Sequence, residues 1–197
     1  MSNSIWRRLK DNVRGVHGKF TRTYVPTTTP EEVALANQLK MTLPSTIATY
    51  IYVNGEWSTT ANRAIGGAVT LASSGPAEQS ILLPTDISSA YEAELVAMVE
   101  ALNGIELVQR QTGHFVLVTS LTDFVRSYND FTLAQHFSEL PDRPTSTDKL
   151  YYDFVQISAT YKSLRVVHGG SKDIEQMKFL QQKLDRIMAG YRDGRGK

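Results

Sequence analysis

The residues that could do acid–base work are few. Four histidines stand at positions 17, 114, 136 and 168, scattered rather than at metal-ligand spacing. There is no cysteine, which removes disulfides, thiolate zinc sites and a cysteine nucleophile. The chain carries no GxSxG, phosphate-binding glycine loop or HExxH motif. What does cluster is charge. Arg7, Arg8, Lys10, Arg14, Lys19 and Arg22 face only Asp11 in the first 22 residues, a pattern that suits phosphates or acidic surfaces, or else a solvated tail. A second basic run from Lys162 onward leaves the middle acidic, although the formal net charge is only +1. Trp6 sits among the arginines as a contact for nucleic acid, a membrane surface or a partner. Tyr151, Tyr152 and Phe154 read either as base-stacking aromatics or as core.

The elements that must carry these residues follow from periodicity. A chain of 197 residues suffices for one domain and an extension. Residues 1–46 read as a basic leader with short helices, one opened by Thr29-Pro30-Glu31-Glu32. "IATYIYVNG" predicts a strand ending in a turn at Asn54-Gly55. "RAIGGAVTLAS" and "AEQSILLPT" complete an antiparallel meander. Leu95, Met98, Val99 and Leu102 then switch to helical spacing, with Ser88 or Ser89 as cap and Asn103-Gly104 as stop. "HFVLVTS" is a buried strand, and "TDFVRSYNDF" a helix capped by Thr122 or Asp123. "LPDRPTSTDK" reads as a loop, "YYDFVQISATY" as a helix and "SLRVVHGG" as a last strand. Ile174, Met177, Leu180, Leu184 and Ile187 stripe a closing helix. The order βββ-α-β-α-(α)-β-α implies a mixed sheet with helices on its faces. The domain spans 47–190, with a flexible tail at 191–197. The N-terminus lacks the apolar run of a secretory signal, and no stretch approaches the ~20 apolar residues of a membrane span. An intracellular, cytoplasmic protein is expected, with the nucleus as second location.

Four motifs in this order resemble the ribonuclease H-like family, in its retroviral and retroelement type. Leu83-Pro84, Ser89-Ala90, Ala93-Glu94-Leu95 and Ala101-Leu102 reproduce its helix-start pattern. "YVNG" with Gly67-Ala68-Val69 is similar to its first hairpin, "VLVTSLTDFV" to its fourth strand and next helix, and "VVHGG" to its last strand and histidine loop. The resemblance covers roughly Ile47 to Met188. It implies an α/β ribonuclease H-like fold with a five-stranded mixed sheet flanked by helices.

The resemblance also implies a chemistry, in which two divalent metals held by four carboxylates cut RNA in RNA–DNA hybrids. Paired dications need anionic oxygens to bind and to offset their mutual repulsion. The four positions fall on Asn54, Glu94, Leu121 and Lys178, and the loop histidine on His168. One carboxylate survives. A carboxamide bridges cations poorly, leucine cannot ligate, and lysine brings the wrong sign. Tyr91 and Glu92 likewise stand where the family has a glutamine and an arginine. Glu94 then reads as a relic ligand or as an exposed first-turn glutamate, with a salt bridge to Lys178 as a further expectation. His168 reads as a remnant of the catalytic loop or as a hydrogen-bonded loop residue.

The expectation is a catalytically inactive protein of viral or retroelement origin. It would need no cofactor and bind RNA or RNA–DNA hybrid through its basic ends, a viral or retroelement protein, or both. The alternative is a divergent ribonuclease that uses Mg or Mn.

Overall fold

The computed structural model describes residues 20–23, 30–59, 62–72, 78–84, 87 and 89–192. Arg7, Arg8, Lys10, Arg14, Lys19 and the tail from 193 lie outside them, and of Arg22 only the backbone is described. The elements in chain order are β1 (Phe20–Thr23), α1 (Pro30–Met41), β2 (Ala48–Ser58), β3 (Arg63–Leu71), β4 (Glu78–Pro84) and α2 (Ala90–Gly104). There follow α3 (Leu107–Thr112), β5 (His114–Thr119), α4 (Thr122–Asn129), α5 (Thr132–His136), α6 (Ser146–Ser158), β6 (Leu164–His168) and α7 (Glu175–Arg192).

One mixed sheet runs in the order β1-β4-β3-β2-β5-β6. The meander is antiparallel, and β5 and β6 continue it parallel to β2. This is the α/β, ribonuclease H-like arrangement that the motifs imply. It has six strands rather than five, because Phe20–Thr23, expected in a helical leader, pairs antiparallel with β4. The exposed edge of a meander is open to any extended segment within reach.

Strand alternation sorts the core onto two faces. Ile51, Val53, Phe115 and Leu117 pack with α2 and α6. Tyr50, Tyr52, Val116 and Val118 pack with Met177, Leu180, Leu184 and Met188 of α7 and with Leu39 of α1. Gln176 ties these two helices by donating to the Leu39 carbonyl and to Thr42 Oγ1. Among the described residues no helix is long and apolar enough to cross a membrane.

Two local expectations change. Strand β2 does not turn at Asn54-Gly55: it continues to Ser58, with Asn54 opposite Gly67 and Gly55 opposite Gly66. The reversal comes past Ser58, where Asn62 takes φ 47°. The reason is tertiary. A Cβ on Gly55 would lie 2.3 Å from the Ala90 carbonyl oxygen, and one on Gly66 2.3 Å from that of Ala93. Both glycines serve the close seating of α2, not a bend. The second change is at α6, which begins at Ser146, inside the expected loop. Thr145 accepts from the Asp148 N–H, and the Asp148 carboxylate accepts from the Thr145 N–H, a reciprocal capping box.

Candidate functional site

Helix α2 aims Glu94 at the end of β5. Ser89 caps the helix by accepting from the Glu92 N–H, and the bare Gly55 and Gly66 let its first turns press on the sheet. Glu94 is therefore 2 % exposed, which corrects its reading as an exposed first-turn residue. Its Oε1 accepts from Thr119 Oγ1 at 2.6 Å and from the Ser120 N–H at 2.8 Å. Its Oε2 accepts from Ser120 Oγ at 2.7 Å. Burial raises the carboxyl's pKa, while the bonds from Thr119, Ser120 and the Gly55 N–H pull it back down.

Asn54 lies one residue along β2 and so on the opposite face. It is 6 % exposed. Its Nδ2 donates to Gln181 Oε1 on α7 at 2.5 Å, and its Oδ1 accepts from the Gly55 N–H. Gln181 Nε2 in turn donates to Asp185 at 2.9 Å. A chain of hydrogen bonds thus runs from α7 through the amides of Asn54 and Gln181 to the Gly55 N–H, which also reaches Glu94.

The other expected positions lie elsewhere. Leu121 packs against the apolar core on the α2 face. The residue that meets Glu94 is Ser120, one position earlier. Lys178 is exposed and pairs with Glu175 at 3.9 Å. The closing-helix residue at the first strand is Gln181, one turn further on, so the expected bridge from Lys178 to Glu94 gives way to an amide pair. His168 sits at the end of β6, exposed, in register with Thr119. Thr119, Ser120 and Gln181 were missed. Their sequence signal is faint: two hydroxyls closing a buried strand, and an amide on the α7 stripe.

Tyr91 and Glu92 also have partners. Tyr91 and Tyr151 share a hydroxyl–hydroxyl hydrogen bond. Glu92 accepts from Ser146 Oγ at 2.6 Å and Thr147 Oγ1 at 2.8 Å, fastening α2 to the start of α6. Phe154 is wholly buried, stacked edge-on against Phe124, and belongs to the core.

A pair of divalent cations would ask this site for several anionic oxygens. It offers one buried carboxylate already enclosed by four donors, two neutral amides, two hydroxyls and, beyond Gln181, the Asp185 carboxylate that Gln181 itself occupies. That donor set does not fit the metals. Among the described residues no three of His, Asp or Glu are grouped to hold an ion.

No known protein family matches the chain, and no curated protein does. Solved structures do. Ribonuclease H1 from the halophilic archaeon Halobacterium salinarum is 15% identical over 71% of this chain and 98% of its own, with a TM-score of 0.45. The protease–reverse transcriptase of prototype foamy virus is 16% identical over 66% of this chain, with a TM-score of 0.49, and this chain spans only 18% of it. The N-terminal ribonuclease H domain of a Mycobacterium tuberculosis protein is 11% identical over 70% of this chain and 99% of its own, with a TM-score of 0.48.

Proposed function

We propose that this protein is a non-catalytic ribonuclease H-like protein, of viral or retroelement descent, that binds nucleic acid rather than cutting it. The observation that carries this reading is the Asn54–Gln181 amide pair on the α7 face of β2, with a Glu94 on the other face already held by Thr119 and Ser120. Neutral groups fill places where two-metal hydrolysis needs negative charge. Nucleic acid is favoured as ligand by the arginines and lysines of residues 1–22. It is also favoured by exposed Lys162, Arg165 and Lys172, which flank His168 in the chain. A protein partner is the competing outcome.

The deciding experiment incubates the full chain with labelled RNA–DNA hybrid and Mg²⁺ or Mn²⁺. The expected result is binding without cleavage. Metal-dependent cleavage that disappears in Glu94→Gln would overturn the reading in favour of a divergent ribonuclease. Absence of nucleic-acid binding at low salt would replace nucleic acid by a protein partner.

A further inference from the structure

Strand β6 is an edge of the sheet, and among the described residues no strand pairs with its outer side. The Ser163 carbonyl accepts from the Phe115 N–H, and the Gly169 N–H donates to the Thr119 carbonyl. Main-chain groups alternate along a strand, so Leu164, Val166 and His168 turn theirs outward. The Val166 carbonyl accepts from Asn129 Nδ2 at 3.3 Å, in the place of a neighbouring strand's N–H. Beside this edge, between the end of α6 and the α4–α5 corner, lies an open and largely apolar groove. Phe131, Ala134, Val155, Ala159 and Leu164 line it. Phe131 is 70 % exposed, belongs to neither half of the core and holds φ 64°, a strained backbone for a bulky residue. Arg165 and Val167 alternate to the α7 face of the sheet, level with Val116 and Val118. Arg165 is exposed and makes no ion pair with a described carboxylate.

We propose that this edge and groove take an extended, acidic segment of another protein, added to β6 as a further strand. Strand alternation sets the pattern of that segment. Its side chains on the α2 face enter the groove and must be apolar. The side chain between them falls on the α7 face beside Arg165, where a carboxylate fits. Charge argues against the two occupants that this chain could itself supply. A second copy pairing through β6 would bring its own Arg165, and like charges on neighbouring strands repel. Residues 1–19 carry Arg7, Arg8, Lys10, Arg14 and Lys19, again of the wrong sign. A nucleic acid has no peptide groups with which to continue the ladder. The inference goes beyond the nucleic-acid reading and does not rest on it.

The test titrates the full chain, at low salt, with a fluorescently labelled peptide of alternating isoleucine and glutamate, read by anisotropy. The comparisons are a peptide with lysine for glutamate, and the glutamate peptide N-methylated on its isoleucines or on its glutamates. The glutamate peptide is expected to bind about threefold tighter than the lysine peptide. One of the two N-methylated peptides is expected not to bind, since one set of N–H groups faces β6. Arg165→Glu is expected to invert the preference between the glutamate and lysine peptides. Phe131→Gly suits the positive φ, so it is expected to keep the melting temperature while weakening binding about fivefold. No binding at millimolar peptide would overturn the inference. So would equal affinity for both charges, or a preference that Arg165→Glu leaves unmoved. Binding of both N-methylated peptides would reduce the site to an apolar patch and overturn strand addition. A dimer in sedimentation that Phe131→Gly dissociates would give the edge to a second copy instead.

Discussion

The carboxyl of Glu94 loses nearly all its water on folding, and desolvation outweighs the hydrogen bonds that Thr119 and Ser120 supply. Its pKa is therefore higher in the folded chain than in the unfolded one. The folded state holds this proton more tightly, so the contribution to stability is full below the ordinary carboxylate range. It is lost as pH rises through the raised value. Glu94→Gln keeps the shape and removes the titration. The melting temperature of the wild type, minus that of Glu94→Gln, should fall as pH goes from acid to neutral, and a flat difference would contradict the dominance of burial. Arg110 is a second buried charge, donating to the carbonyls of Asn103 and Ile105 where α2 ends. Arg110→Ala leaves those carbonyls short of a partner and should cost about 1–3 kcal/mol per orphaned group in urea unfolding. At this scale the sequence was partly legible. Glu94 stood out by its motif, but Ser120 and Gln181 did not. The closing-helix position assigned to Lys178 lies three residues, nearly one turn, before Gln181, the residue that meets the first strand. The fourth-strand position assigned to Leu121 lies one residue past Ser120, which Glu94 touches.

Helix α2 depends on what β2 and β3 lack. Adding one methyl at Gly55 would drive it into the Ala90 carbonyl and the Glu94 backbone. Gly55→Ala should cost about 1–3 kcal/mol as an overpacking substitution and should tilt Glu94 away from Ser120. A chemical-denaturation curve measures the first effect. At α6 the capping box makes a smaller claim: Thr145→Ala should cost about 1 kcal/mol by the same measurement. The long amphipathic elements α2 and α7 were readable because period 3.6 is imposed by burial on one side. The Asn54-Gly55 pair misled because a dipeptide favoured in turns also suits a strand that a helix must approach closely. Thr145-Ser146-Thr147-Asp148 carried a readable cap signature, hidden by the two prolines before it. Strand β1 had no such signature, since its place depends on a sheet edge that only the folded meander creates.

For the molecule as a whole, the proposed division of labour is between basic segments that meet phosphates and a neutralised centre that no longer needs them. If the basic residues before β1 neutralise phosphates, deleting residues 1–19, which leaves β1 paired with β4, should weaken binding and flatten its dependence on salt, by a slope of roughly 0.7 for each single-strand phosphate left without its cation. Unchanged slope after deletion would move that role to Lys162, Arg165 and Lys172. The α/β order and the two-faced core could be read in advance, because they rest on patterns repeated over many residues. The centre could be read only in outline, since it turns on single side chains brought together from β2, α2, β5 and α7. The Asn54–Gln181 pair has one more consequence. A cluster of like-charged acids pushes its own walls apart until an ion fills it, so such a protein is loosened by chelators. Here uncharged amides clasp the closing helix to the sheet. The chain should melt at the same temperature in EDTA as in magnesium, and it should hold α7 in place wherever it is made, whatever the supply of divalent ions.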